Sequence, residues 1–209
     1  MKTTTNTHKT REELAFERML FFSDAVFAIA ITLLAIEIKI PSIQLHGSES
    51  ELGLALLRSL PKITGFLVSF MLIGQTWIEH HRLCGYMVKH DSGLLWKNLM
   101  ILLFVAFMPF TTALLSEYFW SRVAICLYAF SFAGLGMAKA FLWRHAVNRN
   151  LLPHDLDRML VARISRRVWA VPTTSIGVII AAIAGVPYTY VGFIFIPFVA
   201  LLLDKSVRR

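Results

Sequence analysis

Residues 18–37 read RMLFFSDAVFAIAITLLAIE, an apolar run that opens on an arginine and carries Ser23 and Asp24 close to its head. Extended to residues 19–40, the run reaches across a hydrocarbon core about 30 Å thick at about 1.5 Å of helix rise per residue. Ionisable groups inside such a run are costly, so Asp24 must face protein or water. Five further apolar runs follow at 60–78, 94–115, 123–143, 168–186 and 188–203. The expected fold is therefore all-α: one integral membrane domain over 1–209, a bundle of six transmembrane helices. The last two runs are barely long enough to cross. Pro109, Pro172 and Pro197 fall inside runs, where a packed bundle absorbs a kink.

Composition agrees: 56% of residues are hydrophobic and 16% charged, with a mean hydropathy of +0.62. A soluble domain of 209 residues cannot hide that much apolar surface. The first ten residues are polar and lack a secretory cleavage pattern, so the first run is expected to be kept as a helix. Cys84 and Cys126 fall on predicted helices and are read as free thiols.

The net charge of +8 reflects orientation rather than nucleic-acid binding. Seventeen of the 21 Lys and Arg fall before the first run, around the second-to-third and fourth-to-fifth connections, and after the last; the other four are Lys39, Arg58, Lys62 and Arg122. By the positive-inside rule both termini are cytoplasmic and the protein is a multi-pass component of the cell membrane. The segment 144–167 reads as a basic cytoplasmic linker of amphipathic character, lying on anionic headgroups.

Two groups of residues carry chemistry. Trp77 and His80 share one helix face at i, i+3, at the depth of Ser23 and Asp24, so Arg18, Ser23, Asp24, Trp77 and His80 form a candidate inter-helix polar network. A structural tie, a proton relay and a metal site are the readings open to it. Adjacent histidines point apart and no third ligand stands at ligand spacing, so no metal is expected. Above the cluster Ile29, Leu33 and Ile36 recur at i, i+4 and i+7 with Thr32 beside them. Alone, that stripe reads as helix packing; repeated in several copies around an axis, it would make a narrow apolar ring. Glu37 closes the run, where it can pair with Lys39 or Lys62 in the headgroups.

Arg18-x-x-x-Phe22-Ser23-Asp24, continuing through Phe27 to Thr32-Leu33-Leu34, together with Trp77-x-x-His80-x-Arg82-Leu83 and the Asn98 to Pro109-Phe110 segment, resembles the prokaryotic relatives of the lysosomal transmembrane protein 175 potassium channels. The resemblance covers residues 11–115, and Cys84 departs from it by standing where an aromatic is expected. It implies a homotetramer whose first helices line a central pore without a re-entrant loop, permeable to potassium ions. Carried over by position, Ile29 is the hydrophobic constriction, Leu33 and Ile36 extend the apolar wall, Thr32 contributes ion preference, and the polar cluster is an inter-helix network.

No TVGYG filter, G-x-S-x-G, H-E-x-x-H or phosphate-binding loop is present in the sequence, so neither a filter-type potassium channel nor an enzyme is expected, and no cofactor beyond the permeant ion. Arg163 and Arg166 match a voltage-sensor step but lie in the linker. Two alternatives stay open: a proton-coupled secondary transporter using Asp24 and His80, and a regulatory membrane subunit.

Overall fold

A computed structural model describes residues 11–38, 49–186 and 189–205. Lys2, Lys9, Lys39, Arg208 and Arg209, invoked above for charge bias and pairing, lie outside them. The helices are α1 (Arg11–Ile36), α2 (Glu49–Arg58), α3 (Leu60–Gly85), α4 (Ser92–Glu117), α5 (Arg122–Asn148), α6 (Arg158–Arg167), α7 (Ala170–Ile183) and α8 (Ile196–Lys205), with a 3₁₀ helix, Thr189–Phe195, ahead of α8.

The long helices outrun their apolar stretches, because capped polar flanks continue the hydrogen-bond ladder. Asp91 supplies the start of α4: its Oδ1 accepts from the Leu94 N–H at 2.7 Å, one of the donors a helix start leaves unpaired. The ends of α5 and α7 share one motif. Leu151 N donates to Ala146 O and Asn150 N to Val147 O; Val186 N donates to Ala181 O and Gly185 N to Ala182 O. Each pairing is the double bond of a Schellman ending, with Asn150 (φ 53°) and Gly185 (φ 85°) in the left-handed position it requires.

Among the described residues, four stretches are long and apolar enough to span a membrane: 13–36, α4, α5 and the α6–α7 run 158–183; the α2–α3 pair, bent by 46°, adds a fifth when it is taken as one span. The structure differs from the sequence expectation at three places. Residues 188–203 do not form one long helix but a 3₁₀ turn and then α8, with Pro197 near the start of α8, where a missing N–H is tolerated. The supposed linker 144–167 is largely helical: α5 runs to Asn148, and α6 forms from Arg158 under an Asp157 cap whose carboxylate accepts from Met159 N at 2.9 Å. An unexpected α2 precedes α3, and Pro61 opens the helix after it.

α5 is the central element, packed on α4 and α7, while α1 lies against α4 and α3. Small residues on α5 make the close approach possible. A Cβ on Gly136 would sit 2.5 Å from Pro172 Cδ, and one on Gly134 would enter the Phe104 ring. The core between them holds Phe132, Leu135, Leu142 and Trp143, the indole of Trp143 donating to Ser165 Oγ at 2.9 Å and so tying α5 to α6.

The bundle has two distinguishable ends. At one, Phe16 of α1 stacks on His90, and His145 at the end of α5 meets Asp91 at the start of α4. At the other, Lys62 at the start of α3 pairs with Glu117 at the end of α4.

Candidate functional site

α1 has two faces. Met19, Ser23, Phe27, Ala30 and Leu34, spaced by three and four, are buried against α3 and α4; Phe27, Ala30 and Leu34 are each 1% exposed. The opposite face carries Ala25, Ala28, Ile29, Thr32, Leu33 and Ile36, all exposed, with Ile29 at 58%, Leu33 at 41% and Ile36 at 72%. The chain by itself therefore leaves the stripe of isoleucine, leucine and threonine uncovered. That is unlike the core packing which the spacing alone suggests, because the core-facing residues of α1 are the intervening ones. The Thr32 hydroxyl donates back to Ala28 O and Ile29 O at 3.0 and 2.9 Å, which leaves the lone pairs of its oxygen pointing away from its own helix.

A polar anchor holds the buried face at the Ser23 end. The fully buried Ser23 Oγ donates to Met19 O at 2.8 Å and accepts from Asn98 Nδ2 at 2.9 Å. Asn98 Oδ1 lies 2.8 Å from His80 Nε2, which must donate to it. Phe27 packs on the His80 ring with centroids 5.5 Å apart. Three helices are joined in one chain of hydrogen bonds. A second tie runs alongside: Trp77 Nε1 donates to Asp24 Oδ1 at 2.8 Å, and His81 lies against the Trp77 ring.

The structure thus brings Ser23, Asp24, Trp77 and His80 to one level of the bundle, in two separate ties rather than one cluster: Ser23 and His80 joined through Asn98, and Asp24 bonded to Trp77. Arg18 stands apart: it is exposed, lines a surface cavity with Phe22 and Asn98, and makes no hydrogen bond or ion pair among the described residues. Its place six positions before Asp24 puts it on another face of α1. Asp24 and His80 are not bonded to each other; each has a different partner. Glu37 lines a cavity with Lys62, but the Lys62 ion pair is with Glu117.

Asn98, the centre of the anchor, was not among the expected network residues, although an amide inside an apolar run is itself a signal of a buried partner. Also missed were the Glu79–Lys139 ion pair, in which a fully buried lysine of α5 reaches α3, and the Ser69, Thr112 and Tyr128 hydroxyls, bonded in sequence at 3.0 Å each toward the other end. A lysine in an apolar helix demands such a partner, but nothing in the sequence says which acid supplies it.

At the Phe16 and His90 end, His145 Nε2 donates to both oxygens of Asp91 at 2.8 and 2.9 Å. Partial burial pushes the Asp91 carboxyl upward, but the His145 hydrogen bond, the Leu94 N–H and the charges of His145 and Arg149 outweigh it and hold the group below the usual carboxylate range.

Comparison with known proteins is consistent across sequence and structure. Residues 18–109 match the family described as the endosomal/lysosomal potassium channel TMEM175. A potassium channel of Chamaesiphon minutus is 39% identical over 72% of this chain and 75% of its own length; one of Streptomyces collinus is 39% identical over 61% and 63%. The crystal structure of a lysosomal potassium-selective channel TMEM175 homolog from Chamaesiphon minutus superposes with a TM-score of 0.74 at 30% identity, covering 94% of this chain and all of that one.

Proposed function

The chain belongs to the prokaryotic branch of the TMEM175 potassium-channel family, and from that premise we propose that α1 lines the ion pathway, with Ile29 as its constriction. The observation that carries the reading is the uncovered Ile29, Thr32, Leu33 and Ile36 face of a helix whose other face is fully committed to the protomer. Four copies around one axis turn that face inward, and in this homotetramer the small Ala25 and Ala28 on each of the four α1 helices let neighbouring helices approach and bring the side chains close.

The physics follows from the side chains. A ring of Ile29 offers no oxygen to replace hydration water, so it blocks by dewetting when narrow and passes ions that keep part of their shell when wide. Leu33 and Ile36 extend the apolar wall. Thr32 contributes the one ring of oxygens on this face, and its hydroxyl proton is already engaged by the backbone, so the lone pairs are free to meet a cation. The Ser23–Asn98–His80 and Asp24–Trp77 ties set the position of α1 on α3 and α4 and hence the width of the ring.

Six crossings complete the proposed topology. Laid end to end, the 3₁₀ helix and α8 reach about 29 Å, close to the hydrocarbon thickness, and serve as the last. Both termini then lie in the cytoplasm of a cell whose plasma membrane holds the channel, on the side where Arg82, Arg144 and α6 gather.

Reversal potentials under a potassium-to-sodium gradient in planar bilayers test this directly. Ile29→Asn is expected to raise basal current, and Thr32→Ala to move the reversal potential toward zero. Currents and reversal indifferent to both substitutions would place the pathway elsewhere.

A further inference from the structure

Between the basic end of α3 and α6 lies a cavity of about 190 Å³ lined by Arg82, Arg163 and Arg167. Two helices therefore bring three arginines to one space. Arg163 and Arg167 are one turn apart on the same face of α6, and all three arginines are exposed. A single carboxylate shares the wall, Glu79, and it is bound by the buried Lys139, with Arg167 as a further positive neighbour. Counting Lys139 with Glu79, Arg82 and Arg167 set the sign of the site.

The rest of the wall is apolar: Leu83 of α3 with Leu160 and Ile164 of α6. Exposed Met159 lies on the first turn of α6 and exposed Trp169 just past its end. α6 itself carries four arginines and no acid. A forked cationic site against an apolar wall, at the level where an interfacial tryptophan sits, has the chemistry of a headgroup site rather than of a solvent-facing patch. Guanidinium forks match phosphate oxygens in pairs, which a scatter of lysines does not.

We propose that this cavity binds the phosphate of an anionic lipid headgroup, clamped by Arg82 and Arg167 with Arg163 beside them. The occupant bridges α6 to the helix that bears Trp77 and His80, and through them it reaches α1. The site is independent of where the ion pathway runs, so it can be tested without measuring current.

Full-length protein, purified in detergent and offered dioleoyl phosphatidylglycerol or dioleoyl phosphatidylcholine, is read by native mass spectrometry for lipid retained per protomer. Both lipids carry the phosphodiester, but the choline cation of phosphatidylcholine is repelled by the arginines, so wild type is expected to retain phosphatidylglycerol over phosphatidylcholine by about tenfold, which corresponds to about 1.4 kcal/mol. Arg82→Gln/Arg163→Gln/Arg167→Gln is expected to abolish the preference, and Arg144→Gln, on the outside of α5, to keep it. The triple lysine variant, which keeps charge and size, is expected to fall between the two and reads the site if the glutamine variant elutes as aggregate. Equal retention in wild type and the triple variants, or an equal loss in Arg144→Gln, overturns the proposal. Displacement of phosphatidylglycerol by millimolar inorganic phosphate assigns the site to free phosphate and overturns the lipid as occupant.

Discussion

Asn98→Ala is the substitution whose cost the geometry specifies best. Asn98 is 2% exposed and serves two clients at once: its amide nitrogen donates to Ser23 and its oxygen accepts from His80. Ser23 keeps its bond to Met19 O, so its loss is small. His80, 1% exposed, is left with an N–H facing no oxygen, worth about 1–3 kcal/mol. Adding the small void left by the amide, we predict a total of about 2–4 kcal/mol. The pairwise part is smaller, because membrane-embedded hydrogen bonds average about 0.6 and reach about 1.7 kcal/mol in double-mutant cycles. An amide bonded on both sides in a sealed site belongs at the upper end, so Asn98→Ala with His80→Ala is expected to show coupling of about 1–1.7 kcal/mol. Equilibrium unfolding by sodium dodecyl sulfate in mixed micelles, followed by tryptophan fluorescence, measures all four corners. Additivity within about 0.5 kcal/mol would refute the reasoning, since it would mean that the anchor is not one connected chain.

Other substitutions probe separate parts of the account. Glu79→Gln strands the buried Lys139 charge and is expected to destabilise by about 3–5 kcal/mol, most of it recovered when Lys139→Met is added; unfolding of the single and double variants decides this. Gly136→Ala is expected to cost about 1–3 kcal/mol, because its Cβ meets a proline ring that cannot rotate away, whereas Gly74→Ala, with open space around it, should be neutral or stabilising by up to about 1 kcal/mol in the same assay. The Asp91 carboxyl titrates lower in the folded protein than its unfolded value near 4, so the stability it contributes is complete above about pH 4 and is lost as pH falls through the lowered folded value. Asp91→Asn should flatten that acid limb in a pH series of unfolding midpoints; an unchanged limb would remove Asp91 as its source.

Much of this was legible in the sequence because bilayer length and charge bias are written in runs. The apolar stretches located α4 within two residues and α5 within five, while α1 begins eight residues before its stretch and α3 ends seven after its own, because hydropathy marks the membrane core and not the polar turns that continue a helix. What escaped was whatever depends on tertiary choice. Leu52, Leu54, Leu56 and Leu57 are all exposed, so α2 has no buried face to give it a periodic signature beyond its acidic first turn. The 188–203 run is apolar enough for a span, but hydropathy does not distinguish a 3₁₀ turn from an α-helix. In the polar cluster the residue types were readable and the pairing was not: Arg18 lines a surface cavity with Asn98 but bonds to none of the cluster among the described residues, and Asn98 sits at its centre. The Ile29 stripe shows the same limit, since i, i+4, i+7 spacing fits a buried face and an open one equally, and only the burial of Phe27, Ala30 and Leu34 separates them.

The most direct test of the central claim is a cysteine scan along α1, made in a Cys126→Ser background and read as potassium current before and after a membrane-impermeant methanethiosulfonate. If α1 lines a water-filled pathway, cysteines at Ala28, Ile29, Thr32, Leu33 and Ile36 react and alter current, and those at Phe27, Ala30 and Leu34 do not. A stripe that stays inert while the channel conducts would mean that this face of α1 meets lipid, and the pore would have to be built from another helix.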